Sequence, residues 1–450
     1  MEANLKLKKD YIFSNKALIR LIFPLIIEQF LAVAVGMADS VMVAKVGESA
    51  VSAVSLVDSI NILIINIFAA LATGGAVVAG QYIGQKRNDK ASKAGEQLLI
   101  FVTLISIIIM ALLYLGKDFI LNVVFGKIEE DVAAYATTYM LIVFASIPFI
   151  ALYNSGAALF RAMGNSKITM ITSIIMNAIN VIGNAVLIFG FKMGVEGVAF
   201  PTLISRAIAA IIIVALLRNE DLVIHISKHF RYKFNKRMVI KILHIGIPNG
   251  VENSMFQLGK IILLSVVATF GTASITANAV GNTVTSFQVL PASSIGLALV
   301  TVVSQCVGAG DYEQVRYYNK KLLKYAYIAS IIINIIIILL LPFILKIYNL
   351  SPQTTAMAKQ VIIFHGINVC LIWPLSFTLP NTLRASNDVS YTMVVGIVSM
   401  WIFRLGFGFL FAKYMNMGMF GVWVAMIIDW IFRSAFFIVR YRGSKWMAKA

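Results

Sequence analysis

The fold of this chain is decided by residues 18–47, LIRLIFPLIIEQFLAVAVGMADSVMVAKVG. The stretch is apolar and exceeds the roughly 20 helical residues that cross a bilayer. Two carboxylates, Glu28 and Asp39, lie within it, where a charge is costly unless it is neutral, paired or hydrated. In a helix both acids share one face with small residues, so we expect that face to meet a packed interface or an aqueous cavity. Pro24 removes a backbone hydrogen bond one turn before Glu28 and predicts a hinge.

The same pattern returns 224 residues later. Identical residues recur in order at this offset: Pro24 and Pro248, Glu28 and Glu252, Gln81 and Gln305, Gly84 and Gly308. Matching Pro, Glu, Gln and Gly in one order are not expected by chance, so the sequence predicts an internal repeat of half the chain. Asp39 departs from the repeat because its counterpart is Leu263.

Composition places the chain in a membrane and excludes other classes. Hydrophobic residues make up 60% of it and charged residues 13%, which is typical of an integral membrane protein. The net charge of +18 comes from basic clusters between apolar segments and does not indicate nucleic-acid binding. His225 and His229 have no third ligand nearby, and we expect no metal site from them. The sequence has no phosphate-binding loop, no nucleophile–base pair and no ATP-binding domain, so we predict neither an enzyme nor an ATP-driven pump.

Hydropathy predicts twelve transmembrane helices. They cover residues 18–41, 52–79, 95–115, 131–158, 168–190, 195–217, 239–268, 275–304, 319–345, 355–380, 389–412 and 418–440. Six helices per repeat is an even number, so the two halves enter the membrane from the same side. The predicted fold is therefore an all-α integral membrane protein with two six-helix lobes, related by a pseudo-twofold axis along the membrane normal. The lobes are an N-lobe (1–217) and a C-lobe (239–450), joined by a cytoplasmic connection (218–238).

Lys and Arg separate to the two sides of these helices. Alternate loops and helix ends, with both termini and the 218–238 connection among them, hold 27 basic residues, whereas the opposite loops hold seven. Cytoplasmic loops carry the excess of basic residues in membrane proteins. We therefore predict that both termini are cytoplasmic.

The predicted helices contain further polar residues. Asn177, Asn180 and Asn184 share one face of the fifth helix, either as links between helices or as part of a site. Arg206 has no evident partner, and Lys260 lies two turns beyond Glu252, which predicts that base and acid pair. A buried ion-pair cluster is predicted in the last two helices at Arg404, Asp429 and Arg433.

The chain resembles the prokaryotic branch of the multidrug and toxic compound extrusion (MATE) transporters. The resemblance covers essentially the whole chain. It rests on Pro24 with Asp39 fifteen residues on, and on the segments MADSVMVAKVG, QYIGQKR, QCVGAGD, LFRAMGNSK, TLRASND and NAINVIGNAVLIFGFKMGVEGVAFPT. It implies a multi-pass protein of the bacterial cell (inner) membrane.

The resemblance also implies a cation-coupling site in the first lobe, formed by Asp39, Asn180, Asn184 and Thr202. Some relatives have an aspartate at the position of Asn184, so the coupling ion is either H+ or Na+ and no other metal or cofactor is expected. Asp39 could instead make a purely structural hydrogen bond. Three further residues are weaker candidates for the substrate cavity or a second cation site: Glu28, Glu252 and Asn177. Pro24 corresponds to the family's bending point in the first helix.

The implied function is secondary active antiport, in which cationic or amphipathic small molecules leave the cell in exchange for H+ or Na+. Its partners are these substrates and the lipid bilayer, and we expect a monomer. One alternative is a flippase of lipid-linked saccharides, which predicts a strongly cationic central cavity for pyrophosphate. The other is an ion channel, which the two-lobe repeat and the lack of a filter-like segment disfavour.

Overall fold

The computed structural model describes residues 11–126, 128–227 and 234–449, and these residues form helices and connecting loops without any strand. Ten helices are long and apolar enough to cross a membrane, and two bent pairs bring the number to twelve. The twelve are α1 (Asn15–Ala44), α2 (Glu48–Gly84), α3 (Asn88–Leu115), α4 (Glu130–Ala145 and Ile147–Ala162), α5 (Ser166–Gly190), α6 (Glu196–Leu216), α7 (Lys236–Ala268), α8 (Thr272–Gly308), α9 (Tyr312–Ile347), α10 (Pro352–Leu371 and Pro374–Ala385), α11 (Val389–Tyr414) and α12 (Gly418–Arg442). Short helical segments follow α3 (Lys117–Phe119 and Ile120–Val124) and α12 (Met447–Lys449).

The predicted twelve helices are confirmed, but two of them are bent. The two parts of α4 meet at 43° around Ser146, next to Pro148, and the two parts of α10 meet at 63° just before Pro374. Proline removes a backbone donor and clashes with the preceding turn, which explains why both breaks lie beside one. Hydropathy averages over about 19 residues and does not register such bends. By contrast, α1 continues without a break through Pro24.

The helices pack as two lobes, α1–α6 and α7–α12, with the same neighbours in each. In the first lobe α1 packs against α5, α2 against α4, and α5 against α6. The second lobe repeats these pairs as α7 with α11, α8 with α10, and α11 with α12. Between the lobes α1 contacts α8 and, reciprocally, α7 contacts α2. This reciprocity is what a sequence repeat produces when its two copies face each other.

The outer helices expose apolar side chains. Leu115 at the end of α3 is 83% exposed, and Leu339 and Ile347 on α9 are 70% and 82% exposed. Such a contiguous apolar surface would be a liability in water. It suits contact with lipid, and the intrahelical hydrogen bonds satisfy the backbone there.

The two lobes close tightly at one end of α2 and α8. Gln81 on α2 donates to the carbonyl oxygen of Ala385 at 3.0 Å. Its repeat partner Gln305 on α8 donates to the carbonyl oxygen of Ala162 at 2.7 Å. Gly84 lies so close to Gln305 that a methyl group there would overlap the Gln305 carbonyl oxygen, and its repeat partner meets Gln81 in the same way. Close backbone approach thus explains why the repeat has Gln and Gly at these positions.

The segment before α1 ties the lobes together at the same end. The backbone N–H of Ile12 donates to Gln314 Oε1 at 3.0 Å. The Tyr318 hydroxyl accepts from the N–H of Phe13 at 2.8 Å and donates to its carbonyl oxygen at 2.7 Å. Both partners lie on α9, so the first lobe is anchored to the second before its first helix begins.

Candidate functional site

The first lobe contains a polar cluster around Asp39, which lies half-buried on α1. Asn184 on α5 donates from Nδ2 to Asp39 Oδ1 at 2.8 Å. Asn180 is fully satisfied when its nitrogen faces Asp39, donating to Oδ1 at 2.9 Å and Oδ2 at 3.2 Å. Its oxygen then accepts from the Thr202 hydroxyl of α6 at 3.1 Å. The structure therefore links the four residues implied by the resemblance in one hydrogen-bonded cluster, in which both asparagines contact Asp39 and Asn180 also contacts Thr202.

The two amides of this cluster can present either donors or acceptors to Asp39. An amide carries N–H groups on one side and an oxygen on the other, so rotating it about the last side-chain bond exchanges the two. With nitrogens inward, Asn180 and Asn184 stabilise a charged Asp39. With oxygens inward, the two amides and Thr202 supply oxygen atoms beside the carboxylate. Such a set of oxygens suits a proton or a sodium ion. Asn184 Oδ1 is buried and has no hydrogen-bond donor among the described residues, so it is free to make that contact.

Sequence reasoning missed a second acid beside this cluster. Asp58 on α2 accepts from the Tyr139 hydroxyl of α4 at 3.2 Å. Arg206 on α6 donates to Ser146 Oγ at 2.8 Å and interacts electrostatically with both Asp58 and Asp39. The missing partner of Arg206 is thus this acidic pair. Asp58 could have been found, because the rule that singles out Asp39 applies equally to an acid within residues 52–79.

Glu28 and Glu252 form repeat-related ion pairs. Glu28 pairs with Arg161 at 3.3 Å and accepts from the Thr169 hydroxyl at 2.8 Å. Glu252 pairs with Arg384 at 2.7 Å. The two arginines lie in the matched segments LFRAMGNSK and TLRASND, so the pair itself is repeated. Both acids are buried against arginines, which assigns them to helix packing and not to an open cavity wall.

The predicted pairing of Lys260 with Glu252 is wrong. The second partner of Glu252 is Arg433, at 3.0 Å, and Lys260 Nζ instead lies 5.1 Å from the centre of the Phe256 ring. The predicted cluster in the last two helices is present and extends to Glu252. Arg404 pairs with Asp429 at 3.8 Å, and Arg433 interacts electrostatically with Asp429 while it pairs with Glu252. Helix register alone could not reveal that α12 supplies the closer base.

Two other sequence candidates lie apart from the Asp39 cluster. Asn177 donates to Ser173 Oγ at 3.3 Å within its own helix. Among the described residues no group of three or more His, Cys, Asp or Glu side chains could hold a metal ion, and His229 lies outside them.

A cavity of about 460 Å³ lies in the second lobe between α7, α8, α10, α11 and α12. Pockets of this size accommodate drug-like molecules. Its walls combine aliphatic, aromatic and polar side chains and include the basic side chains of Lys260 and Arg404. Neither Glu28 nor Glu252 lines it.

Comparisons with known proteins agree with this architecture. The family model described as MatE matches residues 24–186 and again residues 248–410, at the 224-residue offset of the predicted repeat. The uncharacterized transporter YisQ of Bacillus subtilis (strain 168) is 26% identical over 452 residues, covering 99% of this chain and 97% of the relative. A probable multidrug resistance protein NorM from Thermotoga maritima is 25% identical over 447 residues, covering 97% and 94%.

A solved structure has the same fold. It is described as the outward-facing conformation of a multidrug resistance MATE family transporter of the MOP superfamily. It matches with a TM-score of 0.90 at 19% identity and covers 96% of both chains. The match confirms the predicted fold class of twelve helices in two lobes.

Proposed function

Because this chain belongs to the MatE family, we propose that it is a secondary active antiporter that exports amphipathic small molecules in exchange for H+ or Na+. The observation that carries the proposal is the carboxylate of Asp39, within a membrane-spanning helix, at hydrogen-bonding distance from Asn180 and Asn184. An ionisable group within a transmembrane segment is costly and therefore marks a functional site by default. The relatives named as multidrug resistance proteins support the drug-like substrates.

The coupling step follows from how α1 is attached to α5. Pro24 cannot donate to the carbonyl oxygen of Arg20. The Ser166 hydroxyl of α5 shares its single hydrogen between that oxygen, at 3.2 Å, and the carbonyl oxygen of Leu21, at 2.7 Å. Beyond the proline, Asn184 of α5 binds Asp39. The two halves of α1 are thus fixed to α5 on either side of Pro24.

Loading a cation on Asp39 removes the charge that attracts the amide N–H groups. The amides of Asn180 and Asn184 then turn their oxygens toward the bound cation. This changes how the outer half of α1 is held to α5 while the inner half stays attached, so α1 can bend at Pro24. A bend there changes the surface that α1 presents to α8 across the lobe interface. Cation binding in one lobe is in this way coupled to the contact between lobes, which alternating access requires.

The energy balance favours exchange. Expelling one positive charge against about 100 mV costs about 2.3 kcal/mol, and one entering cation returns the same amount. The remaining work comes from the concentration gradient of the coupling ion. We further propose that the protein acts as a monomer in the bacterial inner membrane. Both termini and the 218–238 connection lie in the cytoplasm in this proposal, which the distribution of Lys and Arg supports.

The test uses Asp39→Asn, which keeps the shape of the side chain and removes its charge change. Purified protein is reconstituted in vesicles, and uphill transport of a fluorescent dye is measured with Na+ and pH gradients imposed separately. We expect the variant to fold and bind dye but to lose gradient-driven transport under both gradients. Asp131→Asn, the same change at an exposed position at the start of α4, should behave like the native protein.

The gradient that drives the native protein identifies the coupling ion. Retention of uphill transport by Asp39→Asn would show that another group couples the ion. A steady single-channel conductance in planar bilayers would instead favour the channel alternative.

A further inference from the structure

The cavity of the second lobe lies where the repeat puts the counterpart of the Asp39 cluster. Adding the repeat offset to four positions of the first lobe leads to four residues that line the cavity. The pairs are Gly36 with Lys260, Asp39 with Leu263, Asn180 with Arg404, and Thr202 with Met426. The fold therefore builds the same kind of site twice, and the second copy has exchanged an acid and an amide for apolar and basic residues.

The charge of this cavity is positive. None of the described residues that line it is acidic, whereas two of them, Lys260 and Arg404, are basic. Arg404 is partly neutralised by Asp429 behind it, at 3.8 Å. Lys260 has neither an ion-pair partner nor a hydrogen bond among the described residues. An unpaired charge in a transmembrane segment calls for a counter-ion.

The two cations meet at one aromatic ring. Lys260 Nζ lies 5.1 Å and the Arg404 guanidinium carbon 5.0 Å from the centre of the Phe256 ring. The ring face attracts both cations. It does not remove the mutual repulsion of the two cations. An anion bound between them would.

The remaining polar atoms of the wall also favour an acceptor. Trp430 Nε1 and Arg404 Nε are buried donors with no partner among the described residues. An indole and a guanidinium can only donate, and an ammonium can only donate as well. Trp423 is already satisfied, since its Nε1 donates to Asn278 Oδ1 at 3.2 Å. Trp430, Arg404 and Lys260 thus have unmet capacity for hydrogen-bond acceptors, and the two cations favour an acceptor that carries negative charge.

Aromatic rings form part of the remaining surface. Trp373 and Phe377 stack with centroids 5.0 Å apart, and Trp430 meets Phe377 edge to face at 5.9 Å. His365 packs against Trp423 and Trp430. Flat apolar walls of this kind bind planar hydrophobic groups and orient them through offset or edge contacts.

We propose that this cavity is a binding site for an aromatic organic anion, a molecule with a planar apolar body and a carboxylate or similar acid group. The acid lies between Lys260 and Arg404, and the body packs against Trp373, Phe377 and Trp430. The proposal specifies the substrate class of the transport function proposed above and rests on it. The substrates so selected differ from the cationic molecules that the family resemblance implies.

The test measures binding at equilibrium, without any gradient, to full-length protein in lipid nanodiscs by isothermal titration calorimetry. Three probes share one ring system: 2-naphthoate (anion), 2-naphthylmethanol (neutral) and 2-naphthylmethylammonium (cation). We expect the native protein to bind naphthoate at least about tenfold more tightly than the alcohol, as a charge-assisted hydrogen bond provides. The cation should bind most weakly.

Lys260 is exposed and unpaired, so its variants should fold. Lys260→Gln should weaken the binding of naphthoate by about tenfold and change the affinity for the alcohol by less than about twofold. Lys260→Glu should reverse the order and favour the ammonium probe. Lys413→Gln is the matched control, because Lys413 Nζ lies over Phe409 at 4.9 Å but outside the cavity.

Equal affinity of the native protein for naphthoate and the alcohol would overturn the proposal, and so would an equal loss for all three probes in Lys260→Gln. Asp39→Asn separates this result from the transport proposal. If it keeps the naphthoate preference and loses uphill transport, both proposals stand. If the native protein shows no preference for naphthoate but Asp39→Asn still abolishes uphill transport, only the anion site is refuted. If the native protein prefers naphthoate but Asp39→Asn retains uphill transport, only the coupling role of Asp39 is refuted.

Discussion

Replacing Glu252 by glutamine separates a structural role of this acid from a role in attracting substrate. Glu252 is 4% exposed and bridges Arg384 and Arg433, whose side chains are 11% and 2% exposed. Removing one partner of a buried ion pair costs about 3–5 kcal/mol, because it leaves an uncompensated charge. Glutamine removes the anion that two arginines share, and Arg433 keeps its electrostatic interaction with Asp429, so we expect a loss of about 4–5 kcal/mol.

Glu28 provides the matched comparison. It has one arginine partner, at 3.3 Å, and a threonine hydroxyl that glutamine can still engage. Glu28→Gln should therefore cost about 3 kcal/mol, near the lower end of the range. The repeat places both acids at equivalent positions, so the difference reports the second arginine.

The assay combines stability with selectivity. Thermal unfolding of the purified protein in detergent should show a lower Tm for Glu252→Gln than for Glu28→Gln, and both below the native value. At a temperature where each variant is folded, the ratio of affinities for a cationic and a neutral dye should be unchanged. Adding Arg384→Leu to Glu252→Gln should recover part of the stability, because it removes a charge that has lost its ion-pair partner.

The opposite pattern would refute this account. An unchanged Tm together with a selective loss of cationic dye binding would mean that Glu252 faces substrate and that its contacts with the arginines contribute little. The weaker hypothesis from the sequence, in which Glu28 and Glu252 attract cationic molecules, would then be preferred.

Three further predictions concern the lobe interface, the α1 hinge and the topology. Gly84→Ala should disfavour the closed end of α2 and α8, seen as a longer spin-label distance between the lobes, whereas Gly190→Ala, whose methyl group meets nothing within 4 Å, should not change it. Ser166→Ala should lower stability by about 1 kcal/mol, and by less in a Pro24→Ala background that restores the backbone donor; equal losses in both backgrounds would contradict the hinge contact. A reporter fused after Ala450 should be cytoplasmic. Labelling of that reporter from outside the cell would show that the topology is the reverse of the one proposed.

The features that could be predicted from sequence are those that depend on neighbouring residues of the chain and those that recur in both halves of the repeat. Each membrane helix is an apolar run of sufficient length, so hydropathy finds it from its own residues. The repeat is visible because Pro, Glu, Gln and Gly return at one offset, and the structure supplies the reason for Gln81 and Gly84, which meet the other lobe. The proximity of Asp39 to Asn184 followed from the family resemblance, since no spacing rule joins residues 145 positions apart.

Partners on different helices could not be predicted for the same reason. Glu252 reaches Arg433 across 181 positions, and the choice between it and Lys260 depends on how α7 and α12 are rotated about their axes. The bends in α4 and α10 depend on how neighbouring helices re-satisfy the backbone groups freed by proline. The second-lobe cavity could not be predicted because its lining comes from five helices whose relative rotations the sequence does not specify.

The two sites of opposite polarity have an electrical consequence. In the first lobe Asp39 offers negative charge, and in the second Lys260 and Arg404 offer positive charge in the equivalent site of the repeat. A cycle that moves a cation inward and an organic anion outward transfers two charges in the same electrical sense. An inside-negative potential of about 100 mV favours each by about 2.3 kcal/mol, so the two contributions add. Export of a cationic molecule would cancel them. A repeat that has diverged in charge therefore links the substrate class to the driving force, since an anionic substrate allows the membrane potential to drive both halves of the exchange.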